Sequence, residues 1–114
     1  MLGCIFCKIA AGERPATIYY QDDRCIAFQD NRAQAPVHAL VIPRKHISSL
    51  NETGPEDTEL LGHLLSVAAR TAQERGVHRR GFRVVINTNP EAGQTVYHLH
   101  LHVLGGRTMD WPPG

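Results

Sequence analysis

Hydrophobic and polar positions alternate most regularly in "TVYHLHLHVLGG", residues 95–106. A period of two is the pattern of a half-buried β-strand. Valine, leucine and tyrosine around the histidines favour the same conformation. Alternate side chains of a strand face one way. Leu99, Leu101 and Val103 should therefore enter the core, and His98, His100 and His102 should share the other face. Successive histidines would stand about 6.6 Å apart along the strand. Four more stretches read as strands. "TIYYQD" and "RCIAFQD" form a hairpin turning at Asp22–Asp23, "HALVIPRKH" is stopped by Pro43, and "FRVVIN" precedes the histidine strand.

Two segments carry helical signals. "CIFCKIAAG" suits a short helix closed by Gly12. The clearer helix runs from about Pro55 to Arg75. Pro55, Glu56, Asp57 and Glu59 suit its first turn. Leu60, Leu61, Leu64, Leu65, Ala68 and Ala72 make an apolar stripe of helical period. Arg70 and Arg75 suit the last turn, and Gly76 stops it. The order is strands, helix, strands. That predicts an α+β fold: a five-stranded, mostly antiparallel sheet with one long and one short helix.

Composition narrows the setting. A chain of 114 residues suits one domain spanning residues 1–114. A net charge of +1 gives no basis for wholesale binding to nucleic acid or membrane. No apolar run is long enough to span a bilayer. "MLGCIFCKIAAGERP" lacks the charged start and long apolar run of a secretory signal. A cytoplasmic location is expected, where three cysteines are thiols or metal ligands rather than disulfides. Cys25 sits at an apolar strand position and reads as a core thiol. His63, in the helix, and His78, in "GVHRRG", read as surface residues, and "HRR" as a solvated turn.

Three imidazoles on one strand face need a chemical reason, because each brings two polar nitrogens that require partners. They can grip a metal. Alternatively, one attacks an electrophile while its neighbours orient it and move protons. Upstream, "NTNPEAGQT" supplies loop amides around Gly93 that can meet phosphate oxygens, and a hydroxyl at Thr95. Cys4-x-x-Cys7 has the spacing of half a zinc site.

"HLHLHVL" fits the histidine triad pattern, and with "QAPVHALVIPRKHIS", "GQTVYHLHLHVLGGR" and "WPPG" the chain resembles the Hint branch of the histidine triad superfamily. The likeness runs from "IFCKI" to the final residues. It implies a purine nucleoside phosphoramidase. His100 would attack the α-phosphorus and form a nucleotidyl-imidazole that water then hydrolyses. His102 would lie by the scissile bridge, and His38 and His98 would support the nucleophile. Asp30 would hold the ribose hydroxyls. Asn87, Gly93 and Gln94 would face the phosphate, and Thr95 the leaving group. Ile5, Phe6, Phe28 and Ile42 would wall the base.

The resemblance further implies that catalysis needs no cofactor. A structural zinc would sit on Cys4, Cys7, His46 and His98. The protein would be a homodimer acting on AMP- or GMP-like nucleotides. Its tail, residues 107–114, would place Trp111 by the partner's pocket. Thr95 stands where such proteins generally carry serine, Gln29 where many carry histidine or leucine, and the 87–95 loop is less rich in Glu and Gly. These differences bear on the leaving group more than on reaction type. Three other readings remain: a nucleotide-binding, regulatory module with little turnover; a dinucleotide polyphosphate hydrolase; and a metallohydrolase with catalytic zinc on the three strand histidines.

Overall fold

The computed structural model describes residues 3–114 and shows the expected α+β architecture. Helix α1 (Ile5–Ala10) precedes strands β1 (Ile18–Gln21), β2 (Cys25–Gln29) and β3 (Val37–Pro43). Helix α2 (Thr58–Glu74), β4 (Phe82–Val85) and β5 (Leu101–Gly105) follow. The β1–β2 turn closes because Asp22 Oδ1 accepts from the backbone N–H groups of Arg24 and Cys25. All neighbouring strands run antiparallel in the order β1-β2-β3-β5-β4. The last strand thus enters the sheet between β3 and β4. The 86–100 connection bringing it there carries the 87–95 loop and two of the three histidines, His98 and His100.

The sheet has two unlike faces. Toward α2 it presents Ala27, Ala39, Val41, Leu101 and Val103, packed on Leu64, Val67, Ala68 and Ala72. Alanines at facing positions let the helix approach closely. Gly105 makes room for the turn after α2, since a Cβ there would meet the Val77 side chain at 2.7 Å. On the other face α1 lays Phe6 and Ile9 over Ile26, Phe28, Leu40 and Ile42. The smaller core lies beside the histidines.

Three expectations change. The long helix opens as a 3-10 turn at Pro55–Asp57 before α2 proper, with Asp57 Oδ2 accepting from the Gly54 N–H. Leu65 is half-exposed, because the helix turns Val67 toward the sheet in its place. Most relevant to function, β5 begins only at Leu101. The ladder stops there because its donors and acceptors go elsewhere. The Leu99 N–H donates to the Ile47 carbonyl at 2.6 Å, and the Pro43 carbonyl is taken by the His98 ring at 2.7 Å. His98 and His100 therefore precede the strand, although Leu99, Leu101 and Val103 are all buried in the α2-side core as expected.

Candidate active site

Each triad imidazole has a tautomer fixed by its neighbours. His100 Nδ1 lies 2.8 Å from the His98 carbonyl, an acceptor only, so Nδ1 carries the proton. The lone pair is left on Nε2. His98 Nε2 donates to the Pro43 carbonyl at 2.7 Å, which leaves its Nδ1 bare. His38 Nδ1 accepts from the Gln34 backbone N–H at 2.9 Å, so its proton sits on Nε2. That N–H faces His102 Nδ1 at 2.9 Å and Asp30 Oδ2 at 3.2 Å. Donation to His102 leaves the neutral His102 protonated at Nε2. A backbone carbonyl and a backbone amide thus set the two ends of the system.

The three triad rings do not converge on one point. Both His98 nitrogens are committed away from His100, and His100 Nδ1 and His102 Nδ1 each have their own partner. A single ion held by all three has no donor set here, which removes the support for a catalytic triad metal. Phe6 stands edge-on to His100 at 5.2 Å and to His98 at 6.0 Å, fixing both rings against α1.

Burial and the approach of His100 and His38 push the His102 imidazole down to about 4, from 6.5 ordinarily, with Asp30 opposing. Burial also lowers His38, again against Asp30. Both rings are neutral at pH 7. Between about pH 4 and 6.5 the unfolded chain then binds more protons at position 102 than the folded one. Stability therefore rises with pH through that window and is lost as pH falls through it. His102→Gln should flatten the rise when urea midpoints are compared at each pH. An unchanged slope in the variant would assign the dependence to other groups.

A second constellation adjoins the first. Cys4 Sγ is 3.3 Å and Cys7 Sγ 3.5 Å from His98 Nδ1. His46 Nδ1 is 3.3 Å from Cys7 Sγ and 3.2 Å from His98 Nδ1. All four donor atoms lie within 4.8 Å of one another. Tetrahedral zinc with ordinary bond lengths spaces such atoms by roughly 3.3–3.8 Å. The His98 Nε2–H on a carbonyl is the outer contact that orients a ligating imidazole. Donor chemistry and spacing both fit zinc.

The remaining expected residues divide by their commitments. Asp30 Oδ1 accepts from the Arg32 N–H at 2.8 Å, so the carboxylate is held at the edge of the site with capacity to spare. Asn87 is partly buried and Thr95 exposed, and neither side chain bonds to other described residues. Gly93 has φ +91°, the left-handed region that lets the loop turn. Gln94 is different: its Oε1 accepts from Asn89 N–H, and its Nε2 donates to the Ser48 and Val96 carbonyls. It braces the loop rather than facing a ligand. Ile5 is exposed, Phe6 and Phe28 keep slivers of surface, and Ile42 has none. Ile42 backs the wall without forming it. Trp111 is exposed, 6.0 Å from the Arg83 guanidinium, while Arg83 donates to the Asp110 carbonyl.

Sequence reasoning did not find the fixing groups, because the Gln34 amide and the Pro43 carbonyl are backbone and carry no residue signature. It also placed His63 on the surface. Its Nε2 lies 2.6 Å from Asp22 Oδ2, which also accepts from Tyr20 OH. Asp22 is held well below the usual carboxylate range; burial opposes this, and hydrogen bonds from Arg24, Tyr20, His63 and Cys25 outweigh it. The cluster ties α2 to the β1–β2 turn. Cys25 beside it is fully buried, and burial raises its thiol to about 12. It is an inert core thiol.

The HIT domain family matches residues 11–109. An uncharacterised HIT-like protein of Synechocystis sp. is 54% identical over 110 residues, 96% of either chain. Among solved structures, a HIT family hydrolase from Legionella pneumophila Philadelphia 1 superposes with a TM-score of 0.96 at 52% identity, covering 98% of this chain and 100% of that one. A histidine triad protein from Clostridium difficile gives 0.93 at 43% identity over 96% of each chain. With the triad motif, its ordered tautomers and the five-stranded sheet in place, the chain belongs to the HIT domain family.

Proposed function

We propose that the protein is a purine nucleoside phosphoramidase that cleaves the P–N bond of adenylyl-amines by covalent catalysis. One observation carries the reading: the His98 carbonyl holds the His100 Nδ1 proton, so Nε2 presents a lone pair. His100 Nε2 attacks the α-phosphorus, the P–N bond breaks, and the amine leaves with a proton. Water then attacks the nucleotidyl-imidazole, releasing the nucleoside monophosphate and restoring His100. The His102 Nε2–H, on a ring whose centroid lies 5.0 Å from that of His100, can serve the oxygens or the departing nitrogen. Uncommitted polar groups on Asn87 and Thr95 supply further donors where phosphate charge develops. Asp30 would take the ribose hydroxyls, and Ile5 with the exposed edges of Phe6 and Phe28 would flank the base.

Cys4, Cys7, His46 and His98 would hold zinc. When bound, the ion supplies a structural tie between α1 and the segments after β3 and before β5. In this reading His98 works through its carbonyl while its ring ligates. Residues 1–114 act as one domain in a cytoplasmic homodimer, with the 107–114 tail carrying Trp111 toward the partner's pocket. The Legionella relative's description as a hydrolase supports a hydrolytic reaction.

The test compares kcat/KM for a fluorogenic adenosine phosphoramidate with that for a diadenosine polyphosphate. Preference for the phosphoramidate is expected. Preference for the dinucleotide would move the assignment to the polyphosphate hydrolases, and binding without turnover of either to a nucleotide-binding module.

A further inference from the structure

Residues 46–48, just after β3, touch three parts of the site in succession. His46 Nδ1 lies against Cys7 Sγ and His98 Nδ1. The Ile47 carbonyl accepts from the N–H of Leu99, the residue between His98 and His100. The Ser48 carbonyl accepts from Gln94 Nε2 at 2.8 Å. This short segment therefore grips the histidine stretch at one residue and the 87–95 loop at the next. Gln94 makes the second of these joins.

Both amide hydrogens of Gln94 and its oxygen are engaged. Nε2 donates to the Ser48 and Val96 carbonyls, and Oε1 accepts from the Asn89 N–H at 2.9 Å. Gln94 is buried, so water does not compete for these bonds. Their effect falls on the loop backbone. The Gly93 N–H donates to the Pro90 carbonyl at 3.0 Å and the Gln94 N–H to the Asn89 carbonyl at 3.2 Å. Those two amides are committed within the loop and are not offered to a phosphate. Thr95 comes next, and its N–H and hydroxyl have no partner among the described residues. The bond from Gln94 to the Val96 carbonyl spans Thr95, which is exposed between two fixed neighbours. A backbone N–H beside a hydroxyl is a donor pair suited to a phosphate oxygen.

We infer that Gln94 is a positioning residue that keeps the Thr95 donors in register with His100. In the phosphoramidase reading, on which this role rests, charge develops on the phosphate oxygens as His100 Nε2 attacks. Donors that meet that charge must already stand at a fixed distance from the nucleophile. His100 is held by the His98 carbonyl and, through Leu99, by Ile47. Thr95 is held by Gln94 and, through it, by Ser48. Ile47 and Ser48 are consecutive, so nucleophile and donors are both referred to one piece of backbone. Loss of the Gln94 amide removes the tie to Ser48 and leaves the tie to Ile47, so Thr95 is free to shift against His100.

Gln94→Met keeps the length of the side chain and removes all three bonds. Kinetics on the full-length protein with the fluorogenic adenosine phosphoramidate should show kcat falling by about 10- to 100-fold, the cost of misplacing a group by an ångström or less, with KM moving far less. A side chain that only stabilised the fold would leave kcat per folded molecule unchanged, so this split separates positioning from stability. Asn89→Gly is the loop control. Glycine accepts the φ of +70° found there and keeps the N–H that Gln94 holds, so turnover should stay within about twofold of wild type. An NMR titration with AMP needs no turnover and no variant: the Thr95 amide resonance of the wild-type protein should shift. A Thr95 amide unmoved at saturating AMP overturns the role even where Gln94→Met does not fold. Kcat retained in Gln94→Met, or an equal loss in Asn89→Gly, overturns the role of Gln94 and leaves the phosphoramidase reading standing. Wild-type protein that neither turns over the phosphoramidate nor binds AMP overturns that reading, and this role with it.

Discussion

His100→Ala should abolish phosphoramidate hydrolysis, with kcat falling by roughly 10³-fold or more, the scale lost when a covalent nucleophile is removed. The reason is local. His100 Nε2 is the one triad nitrogen left with a lone pair and no partner, because the His98 carbonyl takes the opposite edge of the ring. His102 is no substitute, since its Nδ1 is turned onto His38. His100 is also nearly buried against Phe6, so alanine opens a small void there. His100→Asn controls for that: its amide N–H can still meet the His98 carbonyl, yet it offers no nucleophile. Both variants should lose turnover while retaining nucleotide binding and a cooperative urea transition. Activity in His100→Asn within a few-fold of wild type would place the attacking atom elsewhere.

Metal removal should produce the largest change in stability. Structural zinc sites in small domains contribute apparent binding energies of about 10–16 kcal/mol in peptides, against a total stability of about 5–15 kcal/mol for an ordinary domain. Even a fraction of that sum is decisive. Elemental analysis should find one zinc per chain, and a strong chelator should lower the unfolding temperature markedly. Cys7→Ser should reproduce the loss without chelator. Chelated protein that remains folded should keep most of its phosphoramidate turnover, because none of the reacting groups depends on the ion. Protein purified without metal and indifferent to chelator would refute the zinc assignment. Complete loss of turnover with the fold intact would instead require a catalytic role for the metal. Cys4 and Cys7 lie outside the span that matches the HIT domain, so half of the donor set comes from beyond the region shared across the family.

What could be read from the sequence was whatever a local pattern encodes. The alternation at 98–103 correctly sent Leu99, Leu101 and Val103 into the core. The stripe around Leu64 located α2, and Cys4-x-x-Cys7 pointed to a thiol pair that the fold brings to His46 and His98. The misses were nonlocal or belonged to the backbone. The start of β5 depends on what Ile47 and Pro43 do with their carbonyls, 50 or so residues earlier. Gln94 looked like a loop residue facing phosphate, but three backbone groups absorb its amide. His63 met Asp22 across a similar gap.

That strand order has a bearing on how the protein is made. Synthesis delivers β1, β2 and β3 first, then α2 and β4, and the interior strand that joins β3 to β4 last. Until β5 emerges from the ribosome, β3 displays a bare edge and β4 has nothing to pair with. The nascent chain therefore carries its sticky middle unfinished for most of translation, and closing it needs contacts between distant segments, a slow step. A ribosome stalled near residue 95 would release a chain with an open sheet and without His98, His100 and His102. Quality-control proteases should clear such fragments quickly, and His100 arrives in the same few residues that make the fold complete.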